Sequence, residues 1–402
     1  MRQQFAVGPQ TCHVVGACYA SLPSNLMSKI FSITAVFLSV IVANSAYAEE
    51  EVRIALSSDK KAVTISGLNL SVFDGVIGER LSKAVGQVDI SLRVSGSKVA
   101  LSAQGLKFDG KTKRESKKLI FESSDGIRVD GNLYLGRISV ETKKKRLLII
   151  NRLPVETYLL GIVGSEMNPL WPLNALKAQA VAARTYAMQR RMIMRYTNRP
   201  YDLESTVLSQ VYKGAERISQ PVIDAVSLTR GEILSHKHRL VEALFHSTCG
   251  GQTNSAREAF GNHISYLVPK KCRWCKPSPR YRWQTQIPLN DLERSLKKAK
   301  LISGKLTEID RKNGQMKTTA YTGGKKVFLS SRSLRTAAGY SKVFSSKFSA
   351  TTKGKNVHLK GRGFGHGVGM CQWGAKGLAD AGYNYLEILA HYYSGSGVHR
   401  VY

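Results

Sequence analysis

The chain has 402 residues, 43% hydrophobic and 22% charged. That is enough apolar surface to offset the entropy of ordering, so disorder is excluded as its overall description and about two domains are expected. Sixty Lys and Arg against 28 Asp and Glu leave a formal charge of +32, which directs attention to polyanions: nucleic acid, acidic lipid head groups or an anionic wall polymer. From Met27 the chain reads Met-Ser-Lys, then an apolar run from Ile30 to Ala43, then Ser45-Ala46-Tyr47-Ala48 before three glutamates. A basic start, an apolar run of secretory length and an A-x-A site describe a signal peptide over residues 1–48, with 1–26 an over-extended start. The run is too short for a membrane anchor. Export to the periplasm or cell envelope argues against DNA or RNA and leaves wall and envelope surfaces as targets of the basic patches.

Residues 49–146 form the next expected unit. Val52, Ile54 and Leu56, then Val88, Ile90, Leu92 and Val94, then Leu133, Leu135, Ile138 and Val140 alternate at period two between Gly, Asp, Asn and Lys. That pattern predicts antiparallel strands with one buried face. Leu147–Ile150 reads as a further strand, and Leu153 to Leu160 starts a short helix with Pro154 in its first turn. A long helix is expected from Pro172 to about Tyr196, where Leu173, Leu176, Ala180, Ala183 and Ala187 make a core-facing stripe. Further helices are expected at 289–301, from about Met370, and at 385–393, with strands over 305–360. The class is therefore α+β, with residues 147–402 as the second unit and 200–300 a possible sub-domain.

Gly161-Ile162-Val163-Gly164-Ser165-Glu166-Met167-Asn168-Pro169 is expected to put a carboxylate in a turn between two helices. Backed by Val163, Met167 and Trp171, Glu166 would be partly desolvated and kept protonated for general-acid work. An ordinary capping glutamate would look the same. Glu156 is explained by its place in the first turn of a helix.

Lys177 and Arg184 share one face of the long helix, where they could bind a substrate carboxylate, hold Glu166, or form a solvated basic stripe. Gln179 and Tyr186 share another face and join the candidate substrate-binding set. Gly361, Gly363, Gly365, Gly367 and Gly369 alternate with Arg362, Phe364, His366 and Val368. In an extended strand this leaves one bare face, open to a ligand or another backbone. No G-x-G-x-x-G register fits, so a dinucleotide site is excluded. Arg362 and His366 project from this segment, and Gln372 and Trp373, which follow it, suit a sugar ring by hydrogen bonding and stacking.

Cys12 and Cys18 precede the expected cleavage site. His246-x2-Cys249 and Cys272-x2-Cys275 offer four soft ligands for a closed, structural zinc site. Disulfides or free thiols are alternatives in an exported chain. Cys371 could replace His246, and the spacing leaves this open.

Taken together, these residues resemble the SpoIID family, named for sporulation stage II protein D, with relatives described as LytB-type amidase enhancers. The resemblance covers roughly 147–402. It is carried by Leu153-Pro154-Val155-Glu156-Thr157-Tyr158-Leu159, Ser165-Glu166-Met167 with Trp171-Pro172-Leu173, and 175–187 around Lys177 and Arg184. Phe245–Gly251, Ser278–Trp283 and Gly363–Ala375 complete it. It implies a lytic transglycosylase acting on peptidoglycan glycan strands stripped of stem peptides, with Glu166 as catalytic acid and Lys177 and Arg184 important for activity. It also implies a zinc site of variable ligands and a partner amidase that removes the peptides. Cys371 stands where serine is common, and Gln252 where histidine often follows the Gly-Gly pair, so the ligand set is not fixed by the resemblance. One rival expectation is a wall-binding enhancer of an amidase that cuts nothing. Another is a hydrolase using Asp202 or Glu204 as second carboxylate.

Overall fold

The computed structural model describes residues 50–402, apart from 104, 105, 107, 109–111, 206–209, 211, 313, 314 and 316. The expected signal peptide, with Cys12 and Cys18, lies outside the described residues. The fold is α+β.

Strand β1 (Glu51–Lys60) pairs antiparallel with β2 (Arg146–Pro154), Val52 facing Leu153 and Ile54 facing Asn151. The alternation read from sequence is real. Val52, Ile54, Ile90, Leu92, Ile138 and Val140 are all fully buried. Helix α1 (Val155–Glu166) leaves β2 at Pro154, whose fixed φ of −55° suits a helix start. Pro169 biases Asn168 away from helical geometry, and the Asn168 side chain accepts the Leu170 N–H at 3.0 Å, turning the chain. Helix α2 (Leu173–Tyr196) then runs through the core, with Ala175, Ala178, Ala180, Ala182, Ala183 and Ala187 fully buried. Alanine there lets α1 and the later helices approach closely.

Two expectations about boundaries are corrected. The described residues of 50–146 share one continuous apolar core with α1, α2 and the C-terminal helices, so residue 146 marks no break in packing. The second core is not at 200–300. It belongs to a six-stranded sheet, built from residues between Arg282 and Arg362, whose inner face packs Trp283, Ile309, Phe348 and Leu359 with Leu292 and Leu334 of two covering helices. One of these, Ser331–Ala338, lies where only strands were expected. Cys249, Cys272, Cys275 and Cys371 all belong to the larger core. The chain returns from the six-stranded sheet along β3 (Asn356–Arg362) and enters α3 (Gln372–Asp380) and α4 (Tyr385–Tyr392).

Of the five alternating glycines, only Gly361 lies in an extended strand. Gly363, Gly365, Gly367 and Gly369 have φ of 83°, 112°, 84° and 70°, a region side chains rarely adopt. The space they vacate is filled by protein. A Cβ on Gly363 would stand 2.6 Å from Thr248 O, and one on Gly365 would stand 2.7 Å from His246 Cβ. Of the two occupants expected, the neighbour is another backbone, the 244–254 segment.

Candidate active site

Glu166 is the last residue of α1, not part of a loop, and is half-buried. Gly161 and Gly164 are helical, and they mark packing where turns were expected. A Cβ on Gly161 would stand 2.6 Å from Gly214 O and 2.8 Å from Tyr212 Cε2. Close approach of the 212–217 segment thus fixes the axis of α1 and the place of its C-terminal carboxylate.

Gln372, the first residue of α3, donates from Nε2 to Glu166 Oε2 at 3.1 Å and to Gln179 Oε1 at 3.4 Å. It is 4% exposed and Gln179 is fully buried. Neither is open to substrate in this state, contrary to expectation: Gln372 bonds the carboxyl, and Gln179 accepts from Gln372. Tyr158, buried in α1, has its phenol pushed far up, first by burial and then by Tyr212, Tyr186 and Glu166. Tyr186 therefore belongs to the same neighbourhood as Glu166, although it too is largely buried. Trp373 meets Trp171 edge-to-face with ring centroids 5.0 Å apart, and both are half-buried. The pair adjoins Gln372 through Trp373, and Trp171 was read from sequence only as backing for the acid.

The two helix cations diverge from expectation. Arg184 is fully buried and bidentate with Glu156, Nε to Oε1 at 2.8 Å and Nη2 to Oε2 at 2.7 Å, and it also donates to the Glu232 carbonyl. It has no surface for a substrate carboxylate. Lys177 places Nζ 4.1 Å from the Tyr385 ring centroid, a cation–π contact that fixes its charge at the start of α4. The Glu156 carboxyl also accepts from Tyr402 Oη at 2.6 Å, so a residue assigned to the helix dipole is the centre of a buried network. Asp202 is likewise committed. Its buried carboxylate is held by Arg53 Nη2 at 2.6 Å and by the Arg53 N–H at 2.9 Å. Glu204 accepts from Tyr201 Oη at 3.2 Å.

His366 uses both ring nitrogens internally: Nε2 donates to Phe245 O at 2.9 Å and Nδ1 accepts the Val368 N–H at 3.1 Å. Burial, with Arg335 adding to it, pushes its pKa down to about 4, and the half-buried ring braces the glycine segment. Arg362 is exposed on β3, opposite Arg282 and Lys347 in register. With Arg280, Arg282, Lys347 and Lys360 it lines a separate basic cleft of 730 Å³.

The Sγ atoms of Cys249, Cys272, Cys275 and Cys371 all lie within 4.8 Å of one another, and all four residues are buried and free of disulfides. An ideal tetrahedron with metal–sulfur distances of about 2.3 Å has edges of about 3.8 Å, and the Cys249 and Cys275 sulfurs are 3.4 Å apart. The N–H groups of Cys249 and Gly374 donate to Cys371 Sγ at 3.2 and 3.3 Å, as they would to a thiolate. This donor set fits a closed tetrahedral cation. The fourth member of this group is Cys371, the alternative the sequence left open, and His246 is not among the grouped ligand atoms. His246 turns Nδ1 to Val368 O at 3.1 Å, and burial, then His366, pushes its pKa down to about 3.

The family model described as "Stage II sporulation protein" matches residues 143–236, which include α1, Glu166 and α2. The chain is 35% identical over 282 residues to an uncharacterized protein of Brachyspira hyodysenteriae, covering 69% of this chain and 75% of that one. It is 32% identical over 261 residues to stage II sporulation protein D of Bacillus amyloliquefaciens, covering 61% of this chain and 74% of the relative. An amidase enhancer of Bacillus subtilis is 30% identical over 69% of this chain but only 45% of its own length. With its Glu166 helix inside the matched region and its similarity extending over about three quarters of a stage II sporulation protein D, the chain belongs to the SpoIID family.

Proposed function

We propose that the chain is an exported peptidoglycan lytic transglycosylase in which Glu166 is the general acid and then the general base. Its relatives in sporulation and amidase enhancement support a role at the cell wall. The observation that carries the finer reading is one half-buried carboxyl group held by the buried amide of Gln372, whose chain neighbour Trp373 meets Trp171. The acids Glu156 and Asp202 are bound in ion pairs.

A single acid suffices when the nucleophile comes from the substrate. Protonated Glu166 would give its proton to the oxygen linking N-acetylmuramic acid to N-acetylglucosamine as that C1–O bond breaks and an oxocarbenium-like centre forms. The muramic acid 6-hydroxyl oxygen then bonds to C1, and its proton returns to the carboxylate. The products are a free 4-hydroxyl and a 1,6-anhydro end, with no water consumed. Trp171 and Trp373 would stack on the sugar faces, while Gln372 keeps the carboxyl oriented. Stem peptides would first be removed by a partner amidase, and the basic surface would keep the enzyme near anionic wall polymers.

The four cysteines fit a structural zinc ion held by Cys249, Cys272, Cys275 and Cys371. Bound there, zinc would tie the 249 and 272–275 segments to the start of α3. It would leave no open position for water.

Digestion of amidase-treated glycan strands with wild type and Glu166→Gln, with products weighed, tests the assignment. The expected outcome is anhydro ends from wild type and a loss of about 10²-fold or more in the variant, with binding retained. Products carrying added water would point to a hydrolase. The similarity to an amidase enhancer favours a second reading, a wall-binding partner of an amidase. Equal stimulation of an amidase by both proteins, with no cleavage by either, would establish that reading in place of the first.

A further inference from the structure

Four consecutive residues join the sulfur cluster to the candidate acid. Cys371 contributes a sulfur, Gln372 bonds Glu166, Trp373 meets Trp171, and Gly374 lies in the first turn of α3 against the cluster. A Cβ on Gly374 would stand 2.6 Å from Cys272 Sγ, so this turn has no room to shift toward the cluster. The backbone here is tied to the segment bearing Cys249. His246 and Cys371 pair in a parallel ladder, and the Trp373 N–H donates to Ser247 O at 3.1 Å. Gln372 itself has a long side chain whose ordering costs about 1.5–2 kcal/mol of rotamer freedom. It stays in one rotamer because its backbone is fixed and its amide meets Glu166 Oε2 and Gln179 Oε1 together.

We propose that Gln372 is a positioning residue for Glu166, and that the four-sulfur centre fixes Gln372 by holding Cys371. The inference rests on Glu166 being the acid. An N–H donated to a carboxylate favours its ionised form, so Gln372 both orients the group and sets the pH at which it gives up its proton. Glu166 acts on the buried Tyr158 phenol, as Tyr186 also does, while the Arg184 charge is directed to Glu156 and the Lys177 charge to Tyr385.

The test compares wild type, Glu166→Gln, Gln372→Met and Gln372→Glu on amidase-treated glycan strands. Methionine keeps length without the amide, so the melting temperature should hold. Turnover should fall by about ten- to a hundredfold, and the alkaline limb of the pH profile should move to higher pH because the carboxylate has lost a donor. Glutamate at 372 should move that limb further. Activity within about twofold of wild type, or loss of turnover without movement of the limb, overturns the positioning role. If Glu166→Gln cleaves normally, the catalytic reading itself fails. If that variant is inert while Gln372→Met is unimpaired, only the positioning role falls. For the anchor, the full chain carrying Trp274→Phe and Trp283→Phe, which leaves Trp171 and Trp373 as its two tryptophans, is stripped with a chelator and reloaded with zinc chloride. Emission from the Trp171–Trp373 pair should change and return, and emission indifferent to both additions overturns the link.

Discussion

Lys177 and Arg184 stand seven apart on α2 and looked interchangeable in sequence, yet one rests on a tyrosine ring and the other is fully buried on Glu156. Burial alone would raise the Glu156 pKa, but Arg184, Tyr402 and the Gly231 N–H hold the carboxyl below its ordinary value of 4.5. The folded value therefore lies under the unfolded one. Its contribution to stability is complete above about pH 4.5 and is lost as pH falls through the folded value. Arg184→Met would leave that carboxylate buried without its cation, at a cost of about 3–5 kcal/mol. Denaturant unfolding at pH 7 should show the drop, and a cost under about 1 kcal/mol would place Arg184 elsewhere. Glu166 was legible from its motif, whereas Arg184 was misread because helical spacing gives a face and not the element packed on it.

The same limit applies to glycine at the scale of elements. Gly161 and Gly164 read as punctuation, yet both lie inside α1, where the missing side chain admits the 212–217 backbone. Gly161→Ala should gain about 1 kcal/mol of intrinsic helix preference and lose about 1–3 kcal/mol to overpacking against Gly214 and Tyr212. The expected result is a lower melting temperature, and a raised one would refute the close approach. Between Gly363 and Gly369 the glycine spacing was read correctly as a demand for missing side chains. The positive φ values and the backbone that fills the space could not be seen, because they depend on residues more than a hundred positions earlier. Period-two strands and the α2 stripe were legible because burial on one face imposes a local period.

On the scale of the whole molecule, the sulfur centre gathers Cys249, the 272–275 turn and Cys371 within a core that also includes α1 and α2. The chain as purified should contain one zinc per molecule by elemental analysis. Chelation should lower its melting temperature, and Cys371→Ser should lose the metal while His246→Ala keeps it. The reverse pattern, or no metal in a fully reduced sample, would sink the four-cysteine assignment. The sequence by itself determined the α+β class, the long helix, the candidate acid and three of the four sulfurs, because those features are written in local period, residue chemistry and motif. Only the tertiary structure decided that Cys371 joins the other three sulfurs, that His246 and His366 turn to backbone carbonyls, and that Gln372 meets Glu166. These are contacts between segments far apart in the chain. Local spacing sets which way a side chain leaves its own element, and packing of the other elements sets what it meets there.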